Sequence, residues 1–342
     1  MEELFVKNNS LIAQKDWETT IMELKDTKYS SNQEKLKDAI LNSVKIRIPQ
    51  KRFGIFFSGG VDSTTIAYLC KHYSNYSDKT GKQTGFKSDF DFICYTVGYN
   101  NAEDVIVAQK AAKQLGFKLK VIKLELDGVE KILKKVIKLL DLKFSPKDSD
   151  KNDSTGSYQN ITNIVAAGVA TVVYAAVKEA KKDKIDVFFS GLGSEEIFAG
   201  YQRHADAGNK DINTATKHEN EDTYNADNIN EECWQGLKKI WARDLLRDCT
   251  LAKKLKFTAL TPYLDKDVIL NAMAIDAKEK ISPENKKIIL RKISESLGIP
   301  KEFAWRKKKA AQYGSAVDKA IEKLAKRNGF KYKLEYLRNL SH

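Results

Sequence analysis

The chain has 342 residues, 42% of them hydrophobic and 31% charged, which predicts a soluble globular protein of one large domain or two modest ones. No apolar stretch approaches the length of a membrane span, and the start, MEELFVKNNS, lacks the apolar core of a signal peptide, so no membrane association is expected. The four cysteines form no CxxC pair and have no metal-ligand spacing. They indicate reduced thiols in a cytoplasmic protein.

The net charge of +13 comes from 59 Lys and Arg residues against 46 Asp and Glu residues. Such an excess is typical either of an anionic partner such as tRNA or of a solvated, lysine-rich surface. The lysines are spread along the whole chain, which favours the surface.

Hydrophobic periodicity predicts strands that alternate with helices. Helices are expected over 34–47, from about Asp62, over 102–115, 128–142 and 160–181, and strands over 53–57, 91–97, 119–124 and 185–190. This order predicts an α/β fold, with a doubly wound parallel sheet of about five strands, flanking helices and a helical C-terminal part. Ligands of such sheets bind beyond the carboxyl ends of the strands.

Changes in composition suggest four segments. Residues 1–33 form an N-terminal arm, 34–204 an α/β core, 205–232 a polar insertion or lid, and 233–342 a helical part of the same domain. The insertion has almost no large apolar side chains, so we expect it to be mobile without ligand.

The stretch FFSGGVDSTTIAYLC, 56–70, ends a buried strand on Ser58, Gly59 and Gly60 and starts a helix near Asp62. A glycine turn before a helix N-terminus lets unpaired backbone N–H groups bind phosphate. A carboxylate beside phosphate is explained by a Mg²⁺ ion between them. The alternative is a glycine turn with Asp62 as a helix cap.

A second strand ends in the same way, in FFSGLGSEEIFAGYQRH, 188–204. Serine and glycine are followed by Glu195 and Glu196 at a helix start. Two such strand ends can face one nucleotide, with Asp62 and Glu195 sharing Mg²⁺ on its phosphates. On its own, the acidic pair could only complement a helix dipole.

These motifs resemble those of a known family. SGGVDS is similar to the pyrophosphate loop of the N-type ATP pyrophosphatases, whose fold is adenine nucleotide alpha-hydrolase-like, and SGLGSEEIFAGYQRH resembles the asparagine-synthetase signature SGEGADELFGGY. LLRDCTLAKKLKFTALTPYLD, 245–265, and KKIILRK…WRKKKAAQYGS, 286–315, resemble two later segments of that family, in the family's order. The Tyr-x-Arg-His that follows the acidic motif resembles the subgroup of asparagine-synthetase-domain-containing proteins.

The resemblance implies an ATP- and Mg²⁺-dependent ligase in which a carboxylate attacks the α-phosphorus and an amine then displaces AMP. It implies roles for these residues: pyrophosphate binding by Ser58, Gly59, Gly60, Asp62 and Ser63; an adenosine pocket of Phe56, Val97, Ser190 and Gly191; metal binding by Asp62 and Glu195; and charge neutralisation by Lys308. Without the resemblance, Lys308 would be one residue of a solvated basic run, 306–309.

Three departures from the family pattern bear on the substrates. The chain opens Met1-Glu2-Glu3, without the N-terminal nucleophilic cysteine of a glutaminase domain, so ammonia is expected to come free or from a separate glutaminase, or not to be the nucleophile. Leu192 stands where the family has a glutamate, the expected base for the amine. Leu260 and Thr261 replace the residues that include the family's arginine.

Four functions remain open at this stage. The leading one is an AMP-forming carboxylate–amine ligase with a small carboxylate substrate, aspartate by default. The second amidates or cyclises another carboxylate, as β-lactam synthetases do. The third is tRNA modification, which the absence of a CxxC or a visible RNA-binding domain disfavours. The fourth is a non-catalytic ATP-binding scaffold.

Overall fold

The computed structural model describes residues 2–74, 92–144, 158–208, 226–307 and 310–341. The strands in these ranges are Val6–Lys7 (β1), Ser10–Leu11 (β2), Phe53–Phe56 (β3), Phe92–Tyr99 (β4), Leu119–Leu124 (β5), Val187–Phe189 (β6) and Thr258–Leu260 (β7). The helices of the first half are Gln14–Asp26 (α1), Gln33–Lys45 (α2), Val61–Ser74 (α3), Glu103–Leu115 (α4), Leu126–Leu140 (α5), Tyr158–Ala180 (α6), Ser194–Ile197 (α7) and Gln202–Gly208 (α8). Those of the second half are Ala226–Ile240 (α9), Leu246–Leu255 (α10), Lys266–Met273 (α11), Ile288–Ser296 (α12), Lys301–Ala304 (α13), Ala311–Gly314 (α14), Val317–Arg327 (α15) and Lys333–Ser341 (α16).

Five parallel strands form the central sheet, in the order β5-β4-β3-β6-β7. The chain therefore winds outward from β3 through β4 to β5, and then returns to the other side of β3 for β6 and β7. The direction of winding changes between β3 and β6, and the carboxyl ends of these two strands flank the crevice in which doubly wound sheets bind ligands. The predicted doubly wound fold is confirmed.

Helices cover both faces of the sheet because its strands are apolar on both sides. Phe189 points into one buried cluster, to which α2, α3, α4, α9, α11 and α12 contribute, and the neighbouring Phe188 points into a second, built with α5, α6, α15 and α16. Successive side chains of a strand alternate between faces, so two adjacent phenylalanines anchor both layers.

The fifth strand of the sheet is β7, which lies within a region read from the sequence as mostly helical. It has only three residues, TAL, and no alternating pattern long enough to be recognised. The strand is held in register by β6 rather than by its own composition, with Phe188 opposite Ala259. It leads directly into the 3₁₀ turn Pro262–Leu264.

The N-terminal residues pack onto the domain through α1. Trp17 is fully buried and its indole N–H donates to the carbonyl of Leu237, 2.8 Å away on α9. Glu3 is also buried, where it accepts hydrogen bonds from the side chain of Arg47 and from both the N–H and the hydroxyl of Thr261. Of the predicted insertion 205–232, residues 205–208 and 226–232 are helical, and the rest lies outside the described residues.

One helix contradicts the expectation that no apolar stretch approaches the length of a membrane span. The stretch Asn163–Asp183, mostly α6, is long and apolar enough to cross a membrane by length and composition. Its apolar character has a packing explanation, because Ala167, Ala170 and Ala176 are buried in the second cluster. Such a pattern is typical of a central core helix.

Candidate functional site

The loop after β3 forms a turn that leads straight into α3. Gly59 has a φ of 68°, a left-handed conformation that glycine adopts without strain. The hydroxyl of Ser63 accepts a hydrogen bond from the N–H of Ser58 at 3.3 Å and lies 3.4 Å from the hydroxyl of Ser58. The first N–H groups of α3 therefore sit beside two serine hydroxyls, an arrangement suited to an anion.

The loop after β6 brings a second set of polar groups to the same place. Gly191 packs directly against the side chain of Asp62, so the two strand-end loops touch. Asp62 and Glu195 both contact the ammonium group of Lys287, at 2.8 Å each. The same nitrogen lies 3.1 Å from the hydroxyl of Ser194. The two carboxylates singled out from the sequence are thus arranged around one cation.

Lys287 is buried together with the carboxylate of Asp62, while the side chain of Glu195 keeps 33% of its surface exposed. Burial disfavours the ammonium form, but the charges of the two carboxylates outweigh that cost and raise the pKa of Lys287 above its usual value. The lysine therefore carries its charge at neutral pH.

Asp62 and Glu195 fit a divalent cation, because they already converge on one positive charge. Within the described residues, no group of three or more His, Cys, Asp or Glu side chains could hold a metal ion. Mg²⁺ prefers six oxygen ligands and keeps several waters. Such an ion would take its remaining ligands from substrate phosphate and water.

The residues expected to line an adenosine pocket lie at the carboxyl ends of β3, β4 and β6. Ser190 follows β6, and its N–H donates to the carbonyl of Leu260 at 2.8 Å. The ring of Phe56 stacks on Phe188 with centroids 4.6 Å apart, and Val97 is buried in the cluster beneath them. Of the residues expected to line the pocket, Val97 is buried in the core, whereas Phe56, Ser190 and Gly191 remain partly exposed.

Two arginines attach the C-terminal part to this site. Arg306 donates to the carbonyl of Ser58 at 3.3 Å and to the carboxylate of Asp104 at 3.0 Å. Arg291 donates to the carbonyls of Ala304 and Arg306, at 2.8 and 3.0 Å. They hold the segment that precedes 308–309 against the loop after β3. Lys308 itself lies outside the described residues.

Behind α7, a buried network of charged side chains holds the helix that carries Glu195. Glu196 is buried and paired with Arg243, which also binds Asp244 at 2.6 Å. Burial raises the pKa of Glu196, and Arg243 opposes that shift. Arg243 lies in a π-helical turn, Trp241–Leu245, and a wider turn of this kind often marks a functional site. The network fixes the orientation of α7.

The Tyr-x-Arg-His segment contacts the same network. The guanidinium groups of Arg203 and Arg243 lie 4.1 and 5.0 Å from the ring centre of Tyr201. His204 is fully buried, and its Nδ1 accepts a hydrogen bond from the N–H of Tyr201 at 3.1 Å. Burial, with nearby positive charges including Arg203, lowers the pKa of His204 to about 3. The imidazole is therefore neutral.

Sequence reasoning missed the roles of Lys287, Arg291 and Arg306. All three lie in KKIILRK…WRKKKAAQYGS, a segment matched only for its resemblance. Lys287 occurs among many exposed lysines, and no local pattern distinguishes a lysine that folds inward. Its spacing of four residues before Arg291 gives no signal either, because Lys287 is the N-cap of α12 with a left-handed φ of 58° and lies outside the helix.

The sequence is similar to known proteins over most of its length. The family model for asparagine synthase matches residues 35–152 and 157–335. A Methanocaldococcus jannaschii protein assigned as glutamine-hydrolysing asparagine synthetase 1 is 29% identical, over 91% of this chain and 54% of the relative. A Schizosaccharomyces pombe protein described as a probable glutamine-hydrolysing asparagine synthetase is 23% identical, over 85% and 48%.

The chain thus spans about half the length of the curated relatives it matches. Among solved structures, it is similar to NMN synthetase from Francisella tularensis with a TM-score of 0.35 and 11% identity, over 97% of this chain and 95% of that one. A structural similarity of that size does not establish a family. The family model for asparagine synthase matches most of the chain, and the chain therefore belongs to the asparagine synthase family.

Proposed function

We propose that this protein is an AMP-forming carboxylate–amine ligase that adenylates a small carboxylate, aspartate by default, and converts it to an amide. The observation that carries the proposal is the convergence of Asp62 and Glu195 on one cation at the end of β3 and β6. A P-loop kinase or ATPase would instead place a Gly-Lys-Ser/Thr sequence at the turn. Membership of the asparagine synthase family supports the ligase class.

The loop after β3 would bind the β- and γ-phosphates of ATP. Its backbone N–H groups and the hydroxyls of Ser58 and Ser63 face the anion, and the N-terminus of α3 adds partial positive charge. When bound between Asp62 and Glu195, Mg²⁺ would neutralise phosphate charge. The adenosine would lie against Phe56, Ser190 and Gly191, with Val97 in the core behind them.

In the first step, an oxygen of the substrate carboxylate attacks the α-phosphorus, the bond to the bridging oxygen breaks, and pyrophosphate leaves. The amine then attacks the carbonyl carbon of the acyl-adenylate and AMP departs. The protein contributes charge stabilisation at the departing pyrophosphate, by the N–H groups of α3, and by Lys287 and Lys308. Arg306 acts by holding its own part of the chain against the carbonyl of Ser58.

The nitrogen donor we propose is ammonia. Leu192 is half-buried against the apolar core, next to Ser190, whose hydroxyl accepts the N–H of Leu192 at 3.3 Å. A leucine takes up no proton, so deprotonation of the amine falls to another group or to solvent. The rate of amide formation should then rise with pH over the range where ammonium gives way to ammonia.

The experiment measures AMP and pyrophosphate release from MgATP in the presence of aspartate and other small carboxylates, each with ammonium or glutamine. Aspartate-dependent release of AMP and pyrophosphate in equal amounts, with formation of asparagine, supports the proposal. Release that depends on another carboxylate supports the ligase class but corrects the substrate. Formation of ADP and phosphate would overturn the proposal.

Asp62→Asn is the matched test of the site, because it keeps the shape of the side chain and removes its charge. Loss of the carboxylate leaves phosphate charge uncompensated, and we expect pyrophosphate release to fall by about 10²-fold or more. Asp267→Asn, at an exposed carboxylate in the first turn of α11, is the control and should keep the wild-type rate.

A further inference from the structure

Lys287 occupies the position between Asp62 and Glu195 that a divalent cation needs. Its nitrogen lies 2.8 Å from an oxygen of each carboxylate, which is the length of a charge-assisted hydrogen bond. The hydroxyl of Ser194 provides the third contact, at 3.1 Å, so each of the three ammonium protons has an acceptor. The lysine is held as a ligand set holds an ion.

The backbone around this ion pair is built to enclose it. Lys287 has a φ of 58°, in the left-handed region that costs a non-glycine residue about 1–2 kcal/mol. Gly200 passes so close that a Cβ there would lie 2.5 Å from Cε of Lys287 and overlap the carboxylate of Glu195. An exposed lysine needs neither feature. The strained backbone turns this side chain inward and the glycine leaves room for it.

Charge counting shows what this contact does. The two carboxylates and the ammonium together carry a net charge of −1, and the guanidinium of Arg291 also interacts electrostatically with both carboxylates. Without the ammonium, the buried carboxylate of Asp62 and the partly exposed carboxylate of Glu195 would repel each other. With a divalent ion added beside it, two cations would compete for the same oxygens. Metal and ammonium therefore favour the same place, and each weakens the binding of the other.

We propose that Lys287 is an internal counter-ion: it holds Asp62 and Glu195 together in the nucleotide-free protein and releases at least one of them when a divalent cation binds. The inference rests on the proposed function for the identity of the metal ligands. Binding of metal alone is weak because it must displace the ammonium. Metal that arrives with a nucleoside triphosphate binds more readily, since the phosphates supply negative charge for the displaced ammonium.

The test is Mn²⁺ binding to the protein without nucleotide, measured by the electron paramagnetic resonance signal of the free ion. Lys287→Met removes the ammonium and keeps an unbranched side chain. We expect it to bind Mn²⁺ at least about ten-fold more tightly than wild type, which corresponds to about 1.4 kcal/mol. Lys286→Met, at the neighbouring lysine that bonds to the exposed Gln202, is the control and should bind as wild type does.

Stability supplies the second measurement. In EDTA, Lys287→Met should unfold at a lower temperature than wild type, and Mn²⁺ should raise its midpoint more than it raises that of wild type. If the variant folds only with Mn²⁺, the proposal stands. If Mn²⁺ binds to Lys287→Met no more tightly than to wild type, the proposal is overturned. It is also overturned if Lys287→Met stays unfolded in Mn²⁺ while the double variant Asp62→Asn/Lys287→Met folds.

These outcomes are separate from those of the ligase assay. Tighter Mn²⁺ binding together with no AMP formation by wild type would keep the counter-ion and reject the proposed reaction. AMP formation by wild type together with unchanged Mn²⁺ binding by Lys287→Met would keep the reaction and reject the counter-ion.

Discussion

Gly200→Ala should separate the activity of this site from the stability of the fold. A methyl group at Gly200 would overlap Oε2 of Glu195, and a carbon and an oxygen normally stay about 3.3–3.6 Å apart. The carboxylate must therefore move by about 1 Å or more, which breaks its 2.8 Å contact with Lys287. A displacement of about 1 Å at a catalytic group can cost about 10²-fold in rate, and we expect that loss in pyrophosphate release.

The free energy of unfolding should fall by less than about 3 kcal/mol, because the buried ammonium of Lys287 loses Glu195 but keeps Asp62 as a partner. The atoms that the methyl group meets are the ends of two flexible side chains, and the side chain of Glu195 is one-third exposed, so it can turn towards solvent. Replacing glycine by alanine also lowers the conformational entropy of the unfolded chain, which raises the free energy of unfolding by about 0.4–1 kcal/mol.

The assay compares pyrophosphate release with urea unfolding for wild type, Gly200→Ala and Gly128→Ala. Gly128 lies in α5 with nothing within 4 Å of an added Cβ, so its variant should keep full activity. Wild-type activity in a folded Gly200→Ala protein would refute the role of Glu195. A loss of more than about 3 kcal/mol of stability would show instead that the backbone cannot accept the methyl group.

Three further predictions concern burial and charge. Below pH 6.5 His204 takes up a proton in the unfolded chain but not in the folded protein, where its pKa is about 3, so the free energy of unfolding should be about 2 kcal/mol lower at pH 5 than above pH 6.5. Urea unfolding at several pH values should show a flatter pH dependence for His204→Asn. An unchanged pH dependence would contradict the burial argument. Glu3→Ala leaves the buried guanidinium of Arg47 with one carboxylate partner instead of two, and it should lower the free energy of unfolding by about 3 kcal/mol. An unchanged free energy of unfolding would show that the N-terminal residues pack independently of the domain. Leu192→Glu places a charge against the apolar core and should reduce amide formation at every pH; a faster reaction would show that a carboxylate base is what this position lacks.

The sheet could be predicted because its strands carry strong local patterns. The strand at 119–124 has the predicted bounds, and the helix expected over 102–115 begins one residue later, at Glu103. Both elements are long enough for a period of 2 or 3.6 to be recognised. The strand β7 could not be found in this way, because three residues contain no period and its place is set by pairing with β6.

The candidate site was predictable in part. Asp62 and Glu195 were identified because each follows a strand that ends in serine and glycine, and parallel strands bring such ends to one edge. Lys287 reaches the same point from the N-cap of α12, 225 residues after Asp62, and nothing in its neighbourhood distinguishes it from a surface lysine. Long-range contacts of this kind depend on how the helices pack, which one sequence does not encode locally.

The most direct test of the proposed reaction follows the oxygen atoms of the substrate. Aspartate labelled with ¹⁸O in its side-chain carboxylate is incubated with the protein, MgATP and ammonium, and the AMP is analysed by mass spectrometry. If the carboxylate attacks the α-phosphorus, one labelled oxygen stays with the phosphate when the amine displaces AMP, and each asparagine formed is matched by one AMP that carries ¹⁸O. Unlabelled AMP, or ADP in its place, would contradict adenylation of the carboxylate.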